Sequence, residues 1–217
     1  CLDIPLDVQA AMIDIKKLKS FKKPNNSLGL AGEQLKKKVT KVIDLLNASE
    51  RPVLLAGNGI RLAGGKDDFL SLVNKLKIPV LTTLLALDLI PDAHKLFFGR
   101  PGGIASRGAN FTLQNSDFLL SIGARLDMAM VGYAYDKLAR AAKKVIVDID
   151  PAEINKINTP IDIPVCADAK LFIEQMLRQK DRLKQKLRNR WVERCLEWKT
   201  KYPVVLPKHH SLKKYVS

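Results

Sequence analysis

Short apolar runs of strand length alternate with segments of helical period along most of the chain, and this alternation restricts the fold more than any other feature. Pro52–Ala56, residues 79–82, Phe118–Ile122 and residues 145–149 are almost uniformly apolar, with weaker runs at 96–98 and 161–165. A strand that is apolar on both faces belongs inside a parallel sheet covered on both sides. Between the runs, Phe69, Leu72, Val73 and Leu76 recur at helical spacing, as do residues in 105–114, 133–142 and 169–177. Ahead of them, Leu35, Val39, Val42, Ile43 and Leu46 form one apolar helix face beginning near Glu33. The pattern predicts an α/β chain: a doubly wound, Rossmann-like parallel sheet of about six strands with helices on both faces.

The flanks differ from this middle. Residues 1–30 predict one short strand in the Cys1–Asp7 region, then a polar linker with a turn at Pro24-Asn25-Asn26-Ser27. Residues 31–179 carry the alternating pattern. Residues 180–217 predict a last helix over 181–199, with Leu183, Leu187, Trp191, Cys195 and Trp198 on one stripe, then an extended Tyr202-Pro203-Val204-Val205-Leu206-Pro207. At 217 residues and 47% hydrophobic, the chain can bury a substantial core. No run approaches the roughly 18 apolar residues of a spanning helix, and residues 1–30 lack the basic-then-apolar layout of a secretory signal. Cys1, Cys166 and Cys195 are widely and irregularly spaced, which gives neither a metal signature nor a disulfide framework and predicts a reducing, cytoplasmic setting. The net charge of +15 raises nucleic acid as a partner. The lysines, however, fall on polar helix faces without the interleaved aromatics of a strand-binding platform, so a solvated basic face is expected instead.

In an open parallel sheet, ligands bind outside the carboxyl ends of the strands. Five turns there carry informative residues. Gly57 and Gly59 follow the first strand without the third glycine of the dinucleotide fingerprint, and serve a plain turn as well as a ligand loop. Thr83 and Leu84 follow the second, where an NAD site would want a carboxylate. Gly99 and Gly102 flank Arg100 and Pro101 ahead of a helix. Gly123, Arg125 and Asp127 follow the third apolar run. Here the guanidinium either grips a phosphate or forms a local ion pair that ends the strand. Asp148 and Asp150 end the run at 145–149. Asp150, before Pro151, suits a helix N-cap, whereas Asp148 suits a ribose or adenine contact. No nucleophile–base pair is evident: His94 lies in a loop and His209-His210 near the end. Catalytic residues are therefore expected to be absent from this chain, as are metal ligands.

Read in order, RPVLLAGNGIRLAGG, IPVLTTLLALDLIP, FGRPGGIASRGAN, NSDFLLSIGARLD and KKVIVDIDPAEINK resemble the central domain of thiamine-diphosphate-dependent enzymes of the acetolactate synthase group, over about residues 33–177. The resemblance extends to the flanks, where residues 2–9 look like the last strand of an upstream pyrimidine-binding domain. Glu197 to Pro203 look like the lead into a pyrophosphate-binding domain. It implies an enzyme that decarboxylates a 2-oxo acid and adds the two-carbon unit to a carbonyl acceptor, working as a homodimer or homotetramer. It places thiamine diphosphate and magnesium in the flanking domains, so the chain would be an excised central domain without the catalytic residues. It also implies FAD or another nucleotide along the strand ends, contacting Gly57, Gly59, Thr83, Leu84, Gly99, Gly102, Gly123, Arg125, Asp127, Asp148 and Asp150. Where flavin-binding members read GARFDDR, this chain has Met128 and Ala129 after Asp127; where they read GMHG, it has Gly99-Arg100-Pro101-Gly102. An NAD-binding enzyme of similar fold and a basic nucleic-acid-binding module are the other readings.

Overall fold

Pro52–Ala56 (β1) is buried at every position, which requires cover on both faces and a neighbour at each edge. The computed structural model, which describes residues 3–20, 29–132, 134–184 and 186–205, supplies both. In chain order the elements are α1 (Leu6–Gln9), α2 (Gly32–Ala48), β1, α3 (Gly59–Leu62), α4 (Lys66–Leu76), β2 (Val80–Thr82), α5 (Arg107–Gln114), β3 (Phe118–Ile122), α6 (Met128–Val131), β4 (Lys143–Asp148), α7 (Pro151–Asn155), β5 (Ile163–Cys166), α8 (Ala169–Arg178) and α9 (Asn189–Lys201). The strands form one five-stranded, wholly parallel sheet in the order β2-β1-β3-β4-β5. The chain runs outward from β1 to β2 and then returns past β1 to β3. The winding direction thus reverses between β1 and β3, the place where such sheets open a crevice at their carboxyl ends.

Successive strand residues point to opposite faces. Leu54, Ala56, Leu120 and Val145 share one buried core with the apolar stripes of α2, α4 and α8. Val53, Leu55, Leu119 and Ile146 share another with α5 and α9, where Trp191 and Cys195 are buried. Helices therefore cover both faces, as the sequence predicts. All five residues of the α2 stripe are buried. That helix stops at Ser49, whose amide and hydroxyl both donate to the Leu46 carbonyl, and Pro52 follows at the first position of β1, where its missing N–H is tolerated. Carboxylates set the strand registers. Asp117 accepts from the amides of Glu50 and Arg51 at 2.9 and 2.8 Å, just before β1 and β3 pair. Asp162 accepts from the Lys144 amide at 2.8 Å ahead of β5.

Five full strands answer the expected count of about six, and the weaker run at 96–98 adds a single parallel bridge, Val80 to Phe97, held by bonds from Val80 N to Leu96 O and Phe98 N to Val80 O. Three expectations need correction. The helix predicted over 133–142 is one 3-10 turn at Tyr135–Lys137. Gly132 at φ 65° and Ala139 at φ 41° interrupt it on either side, although Leu138, Ala139 and Ala142 are buried as their period suggests. The last helix starts at Asn189, not 181, because Lys186 and Arg188 are drawn to carbonyls at the end of α2. Leu187 consequently leaves the stripe and is 86% exposed. The strand predicted near the start is instead the exposed turn of α1, which has no strand partner among the described residues. Cys1, Pro24-Asn25-Asn26-Ser27, Tyr133, Leu206-Pro207 and His209-His210 lie outside the described residues. Among the described residues no helix is long and apolar enough to cross a membrane.

The tightest backbone approach joins the ends of β1 and β3. A Cβ on Gly57 would lie 2.0 Å from the Gly123 carbonyl oxygen and 2.2 Å from the Ala124 Cα. Both neighbours are backbone, so relief requires the strands to part. Gly57→Ala is expected to lower the unfolding free energy by about 3 kcal/mol in urea denaturation. Gly32→Ala, with φ +55° but nothing within 4 Å of its added Cβ, is expected to lower it by only about 1 kcal/mol. Equal losses at the two sites would refute the close-approach argument.

Candidate functional site

Seven of the eleven candidate residues come together. Gly59, Thr83, Leu84, Gly123, Arg125, Asp127 and Asp148 line one cavity of about 600 Å³ at the carboxyl ends of the strands, where the winding reverses. That volume falls within the roughly 300–1,000 Å³ usual for small-molecule and cofactor sites. The remaining four do not line it. Gly57 serves the strand contact above. Gly99, at φ 100°, has the Ser106 hydroxyl 2.5 Å from where a Cβ would be, and Gly102, at φ 126°, exchanges two hydrogen bonds with the Asn110 side chain. Between these two glycines the chain bulges so that Arg100, Pro101 and Ile104 form a wall of the cleft. Asp150 is the N-cap of α7, its carboxylate accepting from the Ala152 amide at 2.8 Å.

The floor is backbone. The amides of Gly57, Gly59 and Gly123 donate to the carbonyls of Ile122, Gly123 and Val147, at 2.9, 3.0 and 2.8 Å. Those donors are engaged and do not face a ligand, so polar recognition falls to side chains on the walls. Arg61 ties two walls together: it pairs with Asp88 and donates to the Leu85 carbonyl at 2.8 Å, fixing the 3-10 turn Leu84–Leu89 above the floor. Leu84, Leu85 and Ile104 then present apolar surface, Ile104 with 82% of its area exposed.

The opposite wall is polar. Arg125 and Leu126 both have left-handed backbone, at φ 57° and 48°, which costs roughly 1–2 kcal/mol each without a glycine. Burial of the Leu126 side chain and the capping of α6 by Asp127, which accepts from the Met130 amide at 3.1 Å, hold that conformation. Its effect is to lift the Arg125 side chain into solvent, 71% exposed, with Nε 3.2 Å from Glu153. Glu153 also pairs with Lys156. An exposed pair of this kind contributes at most about 1 kcal/mol, so Arg125 can leave Glu153 for a ligand at small cost. Asp148 is half-buried below. Burial pushes its carboxyl above the ordinary range and the Glu153 charge adds to this, while the Asp150 amide, at 3.1 Å, opposes it.

Fifteen lining residues are not among the eleven candidates, the polar or exposed ones Asn58, Leu85, Arg100, Ile104, Glu153 and Asp168 among them. Asp168 follows β5 just as Asp127 follows β3, so extending the same rule to the last strand would have found it. Arg100 stood between two selected glycines. Leu85 and Ile104 carry no local signal and reach the cleft only through tertiary structure. Among the described residues no group of three or more His, Cys, Asp or Glu is placed to hold a metal ion.

The family profile described as thiamine pyrophosphate enzyme, central domain, matches residues 39–176. The chain belongs to this family. It is 37% identical over 201 residues to the probable acetolactate synthase large subunit of Methanocaldococcus jannaschii, covering 91% of this chain and 33% of that protein. It is 32% identical over 215 residues to the acetolactate synthase large subunit of Lactococcus lactis, covering 98% and 36%. With acetolactate synthase isozyme 1 large subunit of Escherichia coli it shares 30% identity over 207 residues, covering 95% and 35%. The chain thus spans about a third of the length of the curated relatives it matches. In this thiamine pyrophosphate enzyme central domain, the matched residues contain all five strands and every turn that lines the cleft.

The half-buried acid gives the cleft a testable titration. Because the folded state raises the Asp148 pKa above its unfolded value of about 3.9, the folded state binds more protons from that pH upward, and stability falls as pH rises through the folded pKa. Asp148→Asn keeps an acceptor for the Asp150 amide and removes the titration. Urea denaturation from about pH 4 to pH 7 is expected to show a smaller loss of stability in the variant than in the wild type. Parallel profiles would mean that the carboxyl is fully solvated.

Proposed function

We propose that this domain belongs to a thiamine-diphosphate-dependent, acetolactate synthase-like enzyme of the cytoplasm, and that its cleft binds a nucleotide, with FAD the first choice. On this reading the whole enzyme decarboxylates a 2-oxo acid and ligates the two-carbon unit to a carbonyl acceptor, as a homodimer or homotetramer. Thiamine diphosphate and magnesium belong to flanking domains. The chain itself contributes spacing, packing surface and the nucleotide cleft. The family membership and the acetolactate synthase relatives support the first part. The cleft at the reversal between β1 and β3 carries the second.

The residues present fit a flavin nucleotide. Arg100 and Arg125 bring two cations to the cleft for a diphosphate, and Arg125 is held only by an exposed pair. Asp148 and Glu153 accept from ribose hydroxyls or an adenine amine. Leu84, Leu85, Ile104 and Met130 offer apolar surface to a ring system and exclude water from it. The flavin, when bound, would supply a redox-active ring, and the part of this cleft would be to hold it. An NAD enzyme is disfavoured by the end of β2: Thr82 is fully buried and Thr83 stands where a ribose-binding carboxylate would be needed.

A ligand that binds the native state at 100 times its Kd adds about 2.7 kcal/mol of stability. FAD is expected to raise the thermal midpoint saturably and NAD to leave it unchanged. Failure of FAD and ADP alike would remove the nucleotide from the proposal. Arg125→Ala is expected to weaken FAD binding about tenfold, the loss of one charged hydrogen bond. The same change should move the ligand-free midpoint by no more than about 2–4 °C, the equivalent of about 1 kcal/mol for a domain of this size. Destabilisation with unchanged affinity would instead assign Arg125 to a structural pair.

A further inference from the structure

At the end of the sheet opposite the cleft, the C-termini of α2 and α4 meet the segment that leads into α9. A second cavity, of about 110 Å³, opens there, and its lining includes Lys75, Lys77, Lys184, Lys186 and Arg188 but no carboxylate. Part of this charge has a local role. Carbonyls at a helix C-terminus favour cations. Arg188 donates through Nη2 to Leu46 O at 2.8 Å and through Nε and Nη2 to Ser49 O at 3.3 and 3.2 Å. Lys186 donates to Ser49 O at 3.2 Å and pairs with Glu50.

The remainder has no such role. Arg188 is only 9% exposed, yet among the described residues no carboxylate pairs with it; Glu50 and Asp117 act on it from a distance. A buried charge whose direct contacts are all carbonyl oxygens, with carboxylates acting only from a distance, is costly, and a counter-ion in contact relieves that cost. The Arg188 Nη1 and the ammonium groups of Lys75, Lys77 and Lys184 have no hydrogen-bond or ion-pair partner among the described residues. Charge and cavity coincide, and the charge exceeds what the helix ends require.

We propose that this cavity binds a phosphate group, held by Arg188 at its base and by Lys75, Lys77 and Lys184 around its mouth. A space of about 110 Å³ admits a tetrahedral oxyanion and is too small for a nucleotide. Several cations around one point favour a multiply charged acceptor with several oxygens over a single carboxylate. The site shares no lining residue with the cleft. Its occupant is inorganic phosphate or the phosphoryl group of a small monoester.

The test titrates the whole chain with potassium phosphate against potassium chloride at matched ionic strength and follows the thermal midpoint. Phosphate is expected to give a saturable rise that chloride does not. Phosphate also stabilises proteins generally by exclusion from their surface, and only that unsaturable part should remain in the double variant Lys75→Ala/Lys184→Ala, whose apparent affinity should fall at least about tenfold. An equal saturable rise with glycerol phosphate assigns the site to phosphoryl groups of small molecules; a rise with inorganic phosphate alone assigns it to the free ion. Arg125→Ala, in the cleft, should leave the response intact. The proposal is overturned if chloride matches phosphate, if the double variant responds like the wild type, or if Arg125→Ala removes the response.

Discussion

The backbone of β1 meets that of β3 at Gly57, Gly59 and Gly123 more closely than any side chain permits, and the geometry of the cleft follows from that contact. With a Gly59 Cβ projected to within 2.8 Å of the Gly123 Cα, the two strand ends lie together and their following loops must diverge. One goes to α3 and the other to the left-handed turn at Arg125–Leu126, and the cavity is the space between them. The contact also engages the glycine amides in bonds that extend the strand ladder. A glycine-rich loop ahead of a helix usually suggests amides free to cradle phosphate. Here the glycines create room, and the cations that line the cavity are arginines on its walls.

Those walls are held by unequal forces. The Leu84–Leu89 turn is pinned by Arg61 through an ion pair and a carbonyl bond, and the Arg100 bulge by Asn110 through two bonds to Gly102. Behind that bulge, α5 packs on α9 so tightly that a Gly108 Cβ would fall 2.9 Å from the Trp198 backbone, and Lys199 donates to the Phe97 carbonyl at 2.8 Å. The apolar wall is therefore braced from two sides. Arg125, in contrast, stands on strained backbone, largely exposed, with Glu153 as its one ion-pair partner among the described residues. A ligand entering such a cleft meets a fixed apolar surface and an adjustable cation, which is the combination that orients a ring while adapting to an anionic tail.

The sequence made the sheet legible because its strands are buried on both faces and so read as unbroken apolar runs; Pro52–Ala56 and Phe118–Ile122 coincide with β1 and β3 to the residue. The strand-end rule then located Thr83, Arg125 and Asp148 without any tertiary information. What escaped it depends on interactions distant in sequence. The stripe through Leu183 and Leu187 has helical period, but Arg188 reaches carbonyls some 140 positions away, 139 to Ser49 and 142 to Leu46, and keeps the segment from closing into a helix. The period over 133–142 likewise buries Leu138 and Ala142 through an irregular path set by positive φ at Gly132 and Ala139. Gly99 and Gly102 illustrate a third case, in which the glycines were legible but their work is to bend a loop that carries Arg100 and Ile104 to the cleft.

Parallel winding gives the two ends of the sheet opposite electrostatic character before any side chain is considered. α2 and α4 direct their C-terminal carbonyls toward the amino ends of β1 and β2, and partial negative charge accumulates there. Basic residues at that end are accordingly expected, and part of the +15 net charge is ordinary compensation. Compensation has a limit, since each helix end is equivalent to about half an elementary charge. Two such ends balance roughly one cation, and Glu50 balances another, against the five that line the second cavity. Mutual repulsion among the surplus would drive solvent-exposed lysines apart, but it cannot move Arg188, whose guanidinium is fixed among carbonyls and nine-tenths buried. The charge that stays in place is thus the one least able to be screened by water, and this separates an anion site from a merely basic surface.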